Sequence, residues 1–136
     1  MRSKSGVKIR LSGIVFVGLG GGLGAMARYG VSAVIIHYCA NLKFPLATFL
    51  VNLGGCILIG VLAGLVEKHP LLGPSARLLL ITGFLGGFTT FSAFSFETLF
   101  LMRRGDLAIA GLNVVGSVFC CLVGVWLGLK LETAAG

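Results

Sequence analysis

The chain has 136 residues, 57% of them hydrophobic and only 11% charged, with a formal net charge of +7 and a mean hydropathy of +1.04. A water-soluble domain of this size needs far more polar surface, so the composition is that of one compact integral membrane domain. The basic balance does not point to nucleic acid, because the Lys and Arg residues sit mainly at the ends of apolar segments, where they meet headgroups and set topology.

Residues 1–10, MRSKSGVKIR, read as a basic N-terminal tail. With the apolar stretch behind them and Ala25-Met26-Ala27, they imitate a secretory signal and its small-residue cleavage site. Five glycines between Gly18 and Gly24 make a poor signal core, so the segment is expected to stay as a first span.

Four apolar segments follow in order, at about 11–38, 46–66, 75–102 and 107–129. Together they make a four-span domain over residues 11–130, with 131–136 as a C-terminal tail. A spanning helix needs about 20 apolar residues; the second and fourth segments fit, and the first and third are too long. Each overlong segment carries a glycine-rich patch, so a bend or break is expected there rather than extreme tilt. The expected fold is an all-α integral membrane protein with four transmembrane helices, the third broken mid-membrane. Asn41 to Pro45, Glu67 through His69-Pro70 to Pro74, and Arg103-Arg104-Gly105-Asp106 separate the spans. These links are too short for an extramembrane catalytic domain, and no His, Cys, Ser or acidic groups converge with catalytic spacing. The chain does not read as an enzyme.

An even number of spans puts both termini on one side, with Arg2, Lys4, Lys8, Arg10, Lys68, Arg77 and Lys130. Lys43, Arg103 and Arg104 fall on the other. Without the four residues of the tail the count is three against three, the pattern of a core that inserts in both orientations. Small-x-x-x-small pairs at Gly20/Gly24, Gly60/Gly64, Gly83/Gly87 and Gly124/Gly128 let every span approach a neighbour's backbone. Gly20-x-Gly22-x-x-Ala25 matches a dinucleotide fingerprint only as letters, since no strand precedes it. Cys39, Cys56, Cys120 and Cys121 lack zinc-site spacing and read as small buried hydrophobes.

Polar groups at membrane depth are costly and therefore functional candidates. Asn52 lies near the start of the second span, one turn after Thr48; it either serves a site or ties two helices together. Asn113, Ser117 and Cys121 form an i, i+4, i+8 stripe on the fourth span, a wet track or helix glue. Arg28 either snorkels to the interface or holds positive potential at a mouth, and Glu97 is the one acid inside a span. Residues 83–94, GFLGGFTTFSAF, place Phe91 and Phe94 three apart. Their ring edges are positive and suit a small anion. If the helix unwinds across Gly86–Thr90, its freed carbonyls must line a cavity or hold an ion.

These stretches resemble one family. Gly22-Leu23-Gly24-Ala25-Met26-Ala27-Arg28-Tyr29 resembles the G-x-x-G-A-x-x-R-Y motif of the Fluc (CrcB-type) fluoride channels. Thr48 to Gly55 is similar to their G-T-L-x-V-N-x-x-G stretch, with Ala47 where glycine is usual. Gly83 to Thr98 is similar to their G-F-x-G-G-x-T-T-F-S-T-F-S-x-E signature, with Ala93 in place of a Thr. Asn113 through Ser117 resembles the start of their fourth helix, and the likeness covers nearly the whole chain after residue 10.

The resemblance implies an antiparallel, dual-topology homodimer, or a dimer with a sister subunit, in the bacterial inner (plasma) membrane. Two fluoride pores would run along the dimer interface. Phe91 and Phe94 would present ring edges to fluoride, Asn52 would donate a hydrogen bond, Thr90 would line the path and Ser117 would belong to a polar track. Asn113 falls at a variable position. Arg28 would lie near a vestibule, and Glu97 would assist conduction near the pore. Backbone carbonyls of Gly86 and Thr89 would hold a central structural Na+. The implied activity is passive export of cytoplasmic fluoride, which protects the cell from an anion that enters as neutral HF and is trapped by ionising. Two other readings compete: a small multidrug-type dual-topology transporter, which would need a carboxylate in the first span, and a non-transporting membrane scaffold.

Overall fold

A computed structural model describes residues 10–68 and 73–135. Arg2, Lys4 and Lys8 of the basic tail, and the His69-Pro70 punctuation, lie outside the described residues. Among those described the fold is all-helical: α1 (Leu11–Cys39), α2 (Leu46–Lys68), then a third segment assembled from α3 (Pro74–Arg77), a π-helix (Leu78–Leu85), α4 (Gly86–Phe88) and α5 (Phe91–Arg103), and finally α6 (Leu107–Ala135). Four helical segments, Leu11–Cys39, Leu46–Lys68, Pro74–Arg103 and Leu107–Ala135, are long and apolar enough to cross a membrane.

The ends of these helices follow from local chemistry. Pro74 occupies the first turn of the third segment, where its fixed φ suits a helix start and its missing N–H costs nothing. At the end of α5 the Asp106 N–H reaches the Leu101 carbonyl and the Gly105 N–H reaches the Met102 carbonyl, 3.0 Å each. This is a Schellman closure, and it requires the positive φ of Gly105, +82°. Lys43 and Arg104 flank Asp106 at 3.4 and 3.8 Å, tying the α1–α2 link to the α5–α6 turn. The C-terminal end departs from expectation: residues 131–135 continue α6 instead of forming a tail. Glu132 explains it, being 7% exposed, seated over Gly64 and paired with Lys68 at 3.3 Å.

Glycines knit the four segments into two parallel pairs. A Cβ on Gly20 would collide with the Leu79 carbonyl, one on Gly24 with the Phe84 carbonyl, and one on Gly87 with the Gly21 carbonyl. The same is true of Gly60 against the Val125 carbonyl and Gly128 against the Ile57 carbonyl. The first helix therefore lies backbone to backbone along the third segment, and α2 along α6; these are the most extensive helix contacts in the fold. Buried apolar side chains are few among the described residues: Val51, Leu85, Leu101 and Ala110. Close backbone approach, rather than a large side-chain core, holds these helices together.

The third segment is not one α-helix. Residues Leu78–Leu85 form π-helical turns, a widening usually found as a short bulge at a functional place. Helix geometry then stops at Thr89 (φ −78°, ψ 157°) and Thr90 (φ −151°, ψ 113°), both extended, and resumes at Phe91.

Candidate functional site

The interruption is held open by specific bonds. Thr89 turns both its N–H and its hydroxyl onto the Leu85 carbonyl, each at 2.9 Å. In a continuous helix the Thr90 N–H would bond the Gly86 carbonyl four residues back. Here it donates instead to Asn52 Oδ1 at 2.7 Å, and Asn52 Nδ2 donates to the Thr90 carbonyl at 3.0 Å. Asn52 thus grips both backbone groups of one residue, as a peptide in a neighbouring strand would. The tie between helices weighed for Asn52 is present, and one Nδ2 hydrogen is left over for another acceptor.

On the far side of the interruption Thr90 caps α5: its hydroxyl accepts the Ala93 N–H at 3.2 Å. The N–H groups of Phe91 and Ser92 are the first of the helix and have no carbonyl behind them. The start of α5 therefore carries partial positive charge, and the rings of Phe91 and Phe94 stand beside it with centroids 5.3 Å apart and planes tilted by 41°.

These groups surround a cavity of about 470 Å³. Asn52, Thr90, Phe91, Phe94 and Ser117 line it, drawn from α2, α5 and α6 and from the break. Gly86 and Thr89 line the same space from the preceding side. Phe91 is 77% exposed, so the cavity opens along the flank of the molecule as a groove. Gly55 makes room for it, because a Cβ there would overlap the Thr89 methyl. Of the four cysteines, all only half-buried, Cys56 and Cys121 also face the groove. That corrects their reading as buried hydrophobes: both lie on the side of the α2–α6 pair that faces the cavity.

Glu97, Arg28 and Asn113 are not among the lining residues. Glu97 lies one turn past Phe94 and turns toward α2, where Thr48 Oγ1 donates to its Oε1 at 2.8 Å; its Oε2 is buried with no hydrogen-bond partner among the described residues. Arg28 is half-buried on α1. The polar stripe on α6 is a connected relay. Ser117 Oγ donates to Asn113 Oδ1 at 3.3 Å, Asn113 Nδ2 to Thr98 Oγ1 at 2.8 Å, and Thr98 Oγ1 to the Phe94 carbonyl at 2.7 Å. Asn113 is 1% exposed and does not line the groove, whereas Ser117 does. Sequence reasoning missed Thr98, the link that joins the stripe to the Phe94 backbone. Its signal was its place four residues after Phe94, where a Thr hydroxyl bonds the carbonyl one turn back.

Comparison with known proteins gives a consistent result. The family model described as CrcB-like protein, Camphor Resistance (CrcB), matches residues 15–129. The chain is 48% identical to the fluoride-specific ion channel FluC of Methylobacillus flagellatus over 118 residues, 87% of this chain and 92% of that protein. It is 45% identical to the protein of the same name from Flavobacterium psychrophilum over 116 residues, 85% of this chain and 93% of the relative. The Opitutus terrae relative, again a fluoride-specific ion channel FluC, is 46% identical, with 84% and 87% covered.

Proposed function

The chain belongs to the CrcB family, and on that premise we propose that it is a fluoride-selective channel through which cytoplasmic fluoride leaves the cell down its gradient. The observation that carries this reading is the convergence of Asn52, Thr90, Phe91, Phe94 and Ser117 on one groove. None of these groups is anionic, and several present positive charge: a spare amide N–H, a helix start and two ring edges. Fluoride is small and tightly hydrated, so a path for it must replace water with many weak donors and no trap. Hydroxyls and an amide can do so where a bare Lys or Arg would hold the anion too long. Thr90 and Ser117 supply the hydroxyls, and Asn52 supplies the amide. Glu97, held by Thr48 behind Phe94, acts on the path from its rim, and Arg28 favours anions at a vestibule.

The groove is one-sided, and a second copy of the chain in antiparallel orientation would complete it, giving two pores along the dimer interface. The three-against-three charge count of the core supports that arrangement. The bacterial inner membrane is the expected location, with the interruption of the third segment at mid-membrane. There the carbonyls of Gly86 and Thr89 would hold a sodium ion, shared with the partner copy. The fit is chemical: the Gly86 carbonyl has lost its helical donor to Asn52, and carbonyl oxygens suit a hard cation. When bound, the ion supplies positive charge between the pores. Exchanging Na+ for a bulky organic cation is expected to lower the Tm of the dimer, and an unchanged Tm would remove the ion from the reading.

Fluoride efflux from liposomes holding the purified protein, with chloride as control, tests the function. Fluoride flux without chloride flux is the expected result. No flux of either from a folded dimer would favour the scaffold or an obligate sister subunit, and proton-coupled uptake of a cationic drug would favour the multidrug-type transporter.

A further inference from the structure

We propose that Cys56 and Cys121 form a two-thiol site, on the wall of the groove, for a divalent thiophilic cation bound between the two sulfurs. Cys56 comes from α2 and Cys121 from α6, the pair of parallel helices held together by Gly60 and Gly128. The two cysteines line the same cavity from these neighbouring helices. Their helices are close at this level: a Cβ on Gly124, one turn after Cys121, would stand 3.6 Å from Cys56 Cβ. Both thiols are free and both face the cavity of about 470 Å³.

The chemistry of the pair selects the ligand. Among the described residues no group of three or more His, Cys, Asp or Glu comes together, so zinc, which takes four such ligands, is not served. A d10 ion content with two soft sulfurs in a line is. Charge narrows it further. Two thiolates around a divalent ion are neutral, whereas around a monovalent ion they leave a negative charge that an apolar wall opposes. Binding replaces two S–H bonds by two S–metal bonds and releases two protons to water, with no change of oxidation state. Mercuric ion is the probe of this class. Cys121 stands one turn from Ser117, and Cys56 one turn from Asn52, so the bound ion would also obstruct the groove. That consequence rests on the channel reading; the binding does not.

The experiment uses the full chain with Cys39→Ser and Cys120→Ser, which leaves only this pair. Titration with mercuric chloride, followed by thiolate-to-mercury absorption in the ultraviolet and by proton release, should saturate at one ion and two protons per chain. Adding Cys56→Ser or Cys121→Ser should weaken retention against a competing monothiol by roughly 10²-fold or more, the advantage of a second tethered ligand. Cys56→Ala and Cys121→Ala should repeat the loss. Two ions per chain, or single-cysteine variants that retain mercury as well as the pair, would overturn the site. Fluoride efflux is read in parallel, each variant against its own unblocked rate, and the half-blocking concentration should rise by a similar factor. A protein that binds one ion per chain yet never conducts fluoride would remove the channel and leave the site. One that conducts but binds mercury thiol by thiol would do the reverse.

Discussion

Asn52 does two jobs that separate under substitution. Its amide satisfies both the N–H and the carbonyl of Thr90, and a carboxylate keeps only the first of these bonds. Asn52→Asp also brings negative charge to the groove, and a barrier raised by about 1.4 kcal/mol already slows passage tenfold. Fluoride flux should therefore fall by at least that factor, measured in liposomes. Asn52→Ala removes both bonds, and its loss of stability should be about 1–3 kcal/mol for each group left unsatisfied, read as a lower Tm. Phe91 and Phe94 are simpler. Replacing either by Ile keeps an apolar side chain and removes the ring edge, so flux should drop by about tenfold or more while the size-exclusion profile stays that of the parent protein. Full flux in both would remove the ring-edge mechanism. The types and spacing of these residues announced them as candidates. The double grip of Asn52 on Thr90 was not legible, since it joins residues 38 apart that meet only in the folded chain. Glu97 shows the same limit: its partner, Thr48, is set by the packing of α2 against α5.

At the level of the helix, the four spans were legible because apolar length is written directly into sequence, and their bounds shifted by only a few residues except at the end of α6. The glycine pairs were legible as a capacity for close approach, but not which span each would meet. The structure divides them in parallel pairs, and within one helix some glycines are in contact and others are not. Gly20→Ala would drive a methyl into the Leu79 carbonyl, which cannot rotate away, so the first helix must lift from the third segment. Overpacking of this kind costs about 1–3 kcal/mol. Gly18 has no atom near its missing Cβ, and Gly18→Ala should instead be neutral or gain up to about 1 kcal/mol from reduced chain entropy. Thermal unfolding of the two variants side by side distinguishes packed from unpacked positions. The π-helical turns of Leu78–Leu85 had no sequence signal, because LLLITGFL satisfies an α-helix as well. Within this stretch Gly83 lies against the backbone of α1 at Val17 and Gly20.

For the whole molecule the decisive feature is a groove left open on one side, in a chain whose core is mostly backbone contact. A second copy running the opposite way would cover it, and that requires both orientations in one membrane. The core supplies no directional charge; the basic tail supplies four residues. A reporter cysteine at Asn41, in a variant whose native cysteines are serines, measures the balance. Asn41 is exposed in the α1–α2 link and carries no charge, so Asn41→Cys leaves the positive count unchanged. Roughly half of the chains should react with an impermeant thiol reagent from outside the cell, and the rest only after permeabilisation. Labelling from one face alone would mean that the tail fixes orientation. The groove would then have to be completed by a differently oriented sister subunit, and purified protein alone would pass no fluoride. Neutralising Arg2, Lys4, Lys8 and Arg10 should in that case restore both labelling and flux together, because the proposed pore is completed only by a copy in the opposite orientation.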